Sequence, residues 1–315
     1  MHLMKWFGAT QKVPGWMAIS LGEDRLRYVH GRFSASGKSA VTCFGSANIE
    51  ARPNAVGKLA KDLHFEQHQC ATILRPGEYQ MLVVEAPTVP QEELKSAIRW
   101  RLKDLLDYHL DDATMDVLDI PPGADLASRS HSMYAITARN EVIQKRLMEF
   151  EAAEIPLSVI DIPEIAQRNI SALHEISDRG AALLYFNNEF GLLTITCNSE
   201  LYFARRIEIG LTQVLGAGPQ ERAELFGRVV LELQRTFDHF DRQFHYVPVA
   251  KVLLGPEPEE TGLYDTLKAN LDLPVERVNL LEHLNFNGQA VPDQATQWEL
   301  FHLIGASLRH EAKAL

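Results

Sequence analysis

The chain has little cysteine: Cys43, Cys70 and Cys197 are widely spaced and form no CxxC pair. Such an odd, scattered set excludes a disulfide framework and reads as free thiols in a reducing compartment. No stretch approaches 18 consecutive apolar residues, so no membrane-spanning helix is expected. The opening MHLMKWFGATQKVPG lacks the apolar core of a secretory leader. Its Leu3, Met4, Trp6 and Phe7 could form a short amphipathic foot on a membrane surface or cover a neighbouring apolar patch. Two turns bury too little to anchor a protein alone. Basic side chains are outnumbered, 31 against 42 acidic, for a net charge of −11. That balance argues against a nucleic-acid partner. Low-complexity runs are also missing.

What is present is an ordinary globular composition, 46% apolar and 23% charged over 315 residues, enough chain for two lobes. Short strands in tight meanders occur twice, about 165 residues apart. The first is WMAISLG, RLRYVHGRF and AVTCFGS between Gly15 and Asn48; the second is AALLYF, GLLTITC and LYFARRIEIG between Gly180 and Gly210. Between and after them strands alternate with helices, which gives a two-lobed α/β protein. Thr88 with Gln91 has capping-box spacing for a helix whose apolar stripe is Leu94, Ile98, Leu102, Leu105 and Leu106. Trp100, Arg101 and Lys103 fall off that stripe. A long helix over 220–244 carries Phe226, Val230, Leu233, Phe237, Phe240 and Phe244 on one face. A last helix over 297–310 presents Trp298, Phe301, Ile304 and Leu308.

Two motifs invite chemistry and do not support it. Gly31 to Ser39 resembles a phosphate-binding loop, but five residues separate Gly31 from Gly37 where four are needed, and the following AVTCFG reads as strand rather than helix. A polar hairpin tip is the better reading. Asp238, His239, Asp241 and His245 cluster at the end of the long helix without a recognised ligand spacing, so a solvated helix end is preferred to a metal site. No metal is expected.

Several segments together resemble the PilM/MshI family, actin-like cytoplasmic proteins of type IV and MSHA-type pilus biogenesis. VVEAPTVPQEELKSAIRWRLKDLL followed by DDATMDVLDI is similar to the family's strand–proline–helix element and its returning strand. SVIDIPEIAQRN, with Asp161 at the acidic position, resembles its strand–helix joint. LYFARRIEIG, with Arg205 or Arg206 at the arginine position, resembles its third strand. LELQRTFDHF before VAKVLLG, and HLIGASLRHE, are similar to its later helices. The resemblance spans nearly the whole chain and is nearest the MSHA-type branch. It implies an actin-like, ribonuclease H-like duplicated fold. A first lobe would cover 1–177 with a small subdomain inserted at about 81–138. A second lobe would cover 178–315, with the terminal helix packing back on the first.

The resemblance also implies a nucleotide cleft whose working residues are worn away. In the first phosphate loop Ser20 stands where the family has Asp, although Gly22 is kept, and Glu23 and Asp24 follow. Like charges about 4 Å from phosphate oxygens repel by about 4 kcal/mol at intermediate dielectric. In the second loop Tyr185 occupies the Asp position and Asn187 the Gly position. In the adenosine-side turn Leu253-Leu254-Gly255 remains, but Pro256 replaces the second Gly, removing an N–H and forbidding positive φ. The expectation is therefore a non-catalytic scaffold with no ATP or Mg²⁺ cofactor, the alternative being an ATP-binding or ATP-hydrolysing switch. The implied partner is the cytoplasmic tail of a PilN-like inner-membrane protein, alongside other assembly-platform proteins. The implied location is cytoplasmic, peripheral to the inner membrane. Trp100, Arg101 and Lys103 are the candidate tail contacts, since a Trp–Arg pair is the usual make-up of a hot spot; packing of Trp100 on the returning strand is the other reading. A GspL-like cytoplasmic domain of type II secretion is a third possibility, for which a membrane span after the domain would be expected.

Overall fold

The computed structural model describes residues 12–22, 24–35, 37–49, 55–123, 131–287 and 289–310. Leu3, Met4, Trp6, Phe7 and Glu23 lie outside them. The first meander is β1 (Trp16–Leu21), β2 (Arg25–Arg32) and β3 (Ser39–Asn48), all antiparallel. β2 ends at Arg32 and Ser39 opens β3, antiparallel to it, so the region is a hairpin end and not a phosphate loop. α1 (Ala55–Asp62) leads to β4 (Gln69–Ile73), parallel to β1. An excursion follows through β5 (Tyr79–Glu85), α2 (Gln91–Arg101), β6 (Ala113–Asp119), β7 (Ser132–Arg139) and α3 (Asn140–Ala152). The chain then returns as β8 (Leu157–Asp161), parallel to β4, and α4 (Pro163–Ser171).

The second half repeats the plan. β9 (Gly180–Phe186), β10 (Gly191–Cys197) and β11 (Glu200–Ile207) form the meander. α5 (Leu211–Gly216) and α6 (Pro219–Gln243) precede β12 (Val249–Leu254), parallel to β9. α7 (Leu263–Asn270) precedes β13 (Val275–Arg277), parallel to β12. The chain then runs through α8 (Leu280–His283) and β14 (Leu284–Asn285) to α9 (Gln294–Ser307). The two main sheets are ordered β14-β3-β2-β1-β4-β8 and β11-β10-β9-β12-β13. Leaving out β14, each sheet reads third, second, first, fourth, fifth, with the same antiparallel and parallel senses. Every residue of β9 and β10 is buried, as expected of strands covered on both faces.

The two halves exchange helices. α4, which ends the first half, packs on the second sheet: the Gln167 side-chain amide donates to the carbonyls of Leu183 and Leu192 at 2.7 and 3.0 Å. α9, from the end of the second half, covers β1, β2 and β4 of the first. The two helices cross where Gly305 meets Ala166. A Cβ on Gly305 would lie 2.0 Å from the Ala166 carbonyl oxygen, so only glycine allows this approach. Gly31 is equally close to Ser307 where α9 reaches β2. Asn169 Nδ2 donates to the Gly305 carbonyl at 3.0 Å, and Arg309 pairs with Asp161 at 2.8 Å. α9 begins three residues before the predicted 297 because Asp293 accepts the Thr296 N–H at 2.8 Å as a cap.

The excursion forms its own antiparallel sheet, β5-β7-β6. Alternation along β7 divides its faces. Met133 and Ala135 meet Leu94 and Ile98 of α2 and Leu102 just past its end; Tyr134, Ile136 and Ala138 turn toward the second lobe's core. The Tyr134 hydroxyl donates to the Tyr202 carbonyl at 2.9 Å, and the Tyr246 hydroxyl to the Pro121 carbonyl at 3.0 Å. The subdomain is thus inserted in the first half of the chain but rests on the second. The capping box expected at Thr88 does not form, because α2 starts after Pro90, whose ring disfavours helical backbone at Val89. The helix ends at Arg101, which leaves Leu105 exposed beyond the stripe. Among the described residues no helix is long and apolar enough to cross a membrane.

Candidate functional site

The duplicated sheets point two hairpin tips toward α9. On the first tip Ser20 pairs across the ladder with Arg27, and the Gly22 N–H closes the turn onto the Arg25 carbonyl at 2.8 Å. Arg25 and Arg27, two residues apart, share one face of β2. On the second tip Asn187 folds on itself. Its side-chain oxygen accepts the N–H groups of Glu189 and Phe190 at 2.8 and 2.9 Å, and its carbonyl accepts the Leu211 N–H that opens α5. Tyr185 is buried. Its ring stacks on Phe301 of α9 with centroids 4.5 Å apart, and its hydroxyl donates to the Trp298 carbonyl at 2.8 Å. Burial raises this phenol above its ordinary pKa.

The turn after β12 joins the second tip. The Gly255 N–H donates to the Leu184 carbonyl at 2.8 Å, and a Cβ on Gly255 would lie 3.0 Å from the Tyr185 ring. Past Pro256 the chain turns Glu257 inward, where it is 2% exposed and accepts from Thr261 Oγ1 at 2.5 Å and Arg277 Nη1 at 3.4 Å. Burial pushes the Glu257 carboxyl above its usual range. The structure therefore brings Tyr185 and Gly255 into contact, with Asn187 at the end of the same hairpin. Ser20 and Gly22 sit on the facing tip.

Between the tips stands the first half of α9, and two adjacent side chains reach in opposite directions. The Trp298 indole N–H donates to the Phe186 carbonyl of the second tip at 2.8 Å. Glu299 accepts from Arg27 Nε at 2.6 Å and Arg25 Nη1 at 3.1 Å on the first hairpin. Burial alone would push the Glu299 carboxyl up, but the two guanidinium groups outweigh it and hold it below its ordinary value. Sequence reading placed Trp298 on a packing face and passed over Glu299, Arg25 and Arg27. The one available signal was the i, i+2 arginine pair beside the first tip.

A second surface lies on the inserted subdomain. Trp100 is 71% exposed, on the side of α2 away from Leu94, Ile98 and Leu102, so the reading that packs it on the returning strand is overturned. Arg101 donates to the Glu85 carbonyl at 2.6 Å, and Lys103 is exposed in the turns after the helix. Asp238, His239, Asp241 and His245 sit at the end of α6. Among the described residues no group of three or more His, Cys, Asp or Glu side chains is arranged to hold a metal ion.

No family model and no curated protein sequence matches the chain. Among solved structures, a chain of a PilM–PilN type IV pilus biogenesis complex superposes with a TM-score of 0.71 at 16% identity, over 94% of this chain and 98% of that one. The fold is actin-like. Looser likenesses include the cytoplasmic domain of EpsL, an inner-membrane component of the type II secretion system of Vibrio cholerae, with a TM-score of 0.42 at 13% identity over 65% and 76% of the two chains. Another is a Bacteroides thetaiotaomicron protein of actin-like ATPase fold and unknown function, with a TM-score of 0.47 at 7% identity over 90% and 96%.

Proposed function

We propose that this actin-like chain is a non-catalytic scaffold of an MSHA-type or related type IV pilus assembly platform, at the cytoplasmic side of the inner membrane. Its partner would be the cytoplasmic tail of a PilN-like inner-membrane protein. The observation that carries the non-catalytic reading is the occupation of the space between the tips by α9. An actin-like clamp needs donors and carboxylates aimed at phosphates and Mg²⁺. Here Arg25 and Arg27 bond Glu299, Tyr185 bonds α9, and Asn187 bonds its own turn. A nucleotide would have to displace Glu299 and withdraw Trp298 before meeting any phosphate ligand.

Thermal denaturation with millimolar Mg·ATP tests this directly. A site at 100 times its Kd would add about 2.7 kcal/mol of stability. No change in Tm is expected; a rise of several degrees would restore the ATP-dependent switch as the better reading.

The tail contact is assigned to Trp100, Arg101 and Lys103, because an exposed tryptophan flanked by cations has the make-up of an interface anchor. Trp100→Ala is expected to weaken binding of a PilN-like tail peptide by about 2 kcal/mol, roughly thirtyfold, while Tm stays put. Calorimetry reads the first quantity and thermal melting the second. An unchanged affinity would move the contact elsewhere.

A further inference from the structure

The first half of α9 touches both tips through neighbouring residues, and its two attachments are built differently. Toward the second tip the hold is redundant and carries no net charge. Trp298 is bonded twice to consecutive residues of β9: its indole N–H donates to the Phe186 carbonyl, and its own carbonyl accepts from the Tyr185 hydroxyl. Tyr185 is buried, and its ring stacks on Phe301, three residues further along α9. Deeper in the molecule the Gly305–Ala166 crossing and the Asn169 bond pin α9 to α4. α4 is in turn bonded to β9 and β10 through Gln167. The helix is thus held by the second lobe along its length.

Toward the first tip the hold is ionic and half exposed. Arg25 Nη1 and Arg27 Nε both donate to a single oxygen, Glu299 Oε1. The side chains of Arg25, Arg27 and Glu299 keep 39%, 28% and 25% of their surface exposed. A pair at that exposure is screened by salt, whereas hydrogen bonds between neutral groups are not. Both arginines are parts of the tip itself, since the Arg25 carbonyl closes the turn on the Gly22 N–H and Arg27 pairs with Ser20 across the ladder. Below them, apolar contacts of Ala18, Val29 and Val41 with Leu300, Phe301 and Ile304 continue to join the first sheet to α9. Those inner contacts are placed to act as a hinge, and the carboxylate at the outer end as its catch.

We infer that Trp298 and Glu299 make α9 an internal strap across the cleft, holding the two lobes at one setting from within the chain, and that the Glu299 end is a catch released by competing charge. The strap rests on α9 filling the space between the tips and not on the pilus assignment, so the two can fail separately.

Spin labels attached through Asp24→Cys and Glu189→Cys, both exposed and one on each tip, report the distance between the lobes. Cys43→Ala removes the half-buried thiol, and Cys70 and Cys197 are buried. Pulsed dipolar spectroscopy on the full chain should find one narrow distance in this parent. Glu299→Arg, which sets a third guanidinium against the other two, should abolish it in favour of a longer and broader distribution. Adding Arg27→Glu to that variant restores an opposed pair and should bring the narrow distance back, a recovery that lost packing alone would not allow. Thermal melting of each variant confirms that it is folded. Where Glu299→Arg does not fold, salt on the parent carries the test. From about 0.1 to 1 M the Debye length falls from about 10 to 3 Å, and the distribution should broaden to match that of Glu299→Gln. A narrow distance in folded Glu299→Arg, no recovery in the exchanged pair, or a parent that salt leaves unmoved would overturn the strap.

Discussion

Replacing Gly305 by valine is expected to lower Tm by about 10 °C. The Cβ would fall 2.0 Å from the Ala166 carbonyl oxygen, an atom of the α4 backbone that cannot swing aside. The helices must part, and the Asn169 bond to the Gly305 carbonyl is lost with them. Overpacking of this kind costs about 1–3 kcal/mol, and stranding a buried amide about 1–3 more. At about 2–4 °C per kcal/mol for a chain of this size the sum is near 10 °C. Gly227→Ala is the control: that glycine is exposed in the middle of α6, with nothing within 4 Å of an added Cβ. It should leave Tm unchanged or raise it, since alanine is the better helix former by up to about 1 kcal/mol. A Gly305→Val protein that melts with its parent would show that α4 and α9 do not cross there.

Acid should destabilise the protein well above the range where its exposed carboxylates titrate. His30 and His174 are buried, and each lies beside a second imidazole, His68 at 4.5 Å and His283 at 4.2 Å between ring centroids. His30 Nδ1 meets Thr42 Oγ1 and His174 Nδ1 the Ile170 carbonyl, while the Nε2 of each has no hydrogen-bond partner among the described residues. An imidazolium at either place would strand a buried N–H beside a ring that also gains charge. Burial, reinforced by those neighbouring rings, lowers both groups from the ordinary 6.5 to about 4. Because the folded pKa lies below the unfolded one, the unfolded chain binds more protons between about pH 6.5 and 4. The stability these histidines contribute is complete above that window and is lost as pH falls through it. Near pH 5 the pair should give a slope of about 2.4 kcal/mol per pH unit in urea-unfolding free energy. Glu164 and Glu257, whose carboxyls are raised by burial, act with the opposite sign. The double substitution His30→Gln with His174→Gln isolates the share of these two, leaving that of His302, which burial also lowers to about 4: the slope should drop by about two protons. An unaltered slope would place the acid sensitivity elsewhere.

The doubled meander was legible because strand periodicity and turn residues are local signals, and it carried most of the fold with it. The long α6 could be read for the same reason, since its aromatic steps repeat every three or four residues. The helix start at residue 91 was misread because Pro90 overrides the Thr88–Gln91 spacing. The exchange of α4 and α9 leaves no local trace, as an amphipathic helix has the same pattern whichever sheet receives it. In the cleft the substitutions Ser20, Tyr185 and Pro256 were visible against the resemblance, but the residues that fill the space were not. Glu299 lies 272 positions from Arg27, and no periodicity links them.

The helix exchange also sets the order in which this protein can become itself during synthesis. The inner face of the first sheet, with Ala18, Val29 and Val41, is covered by Leu284, Leu300, Phe301 and Ile304. Those residues leave the ribosome long after the strands they cover. Until then the amino-terminal lobe shows a bare apolar sheet, the kind of surface that chaperones hold and that nascent chains aggregate through. Native packing of that sheet therefore waits for α9, which acts as a keystone set after both sides of the arch are standing.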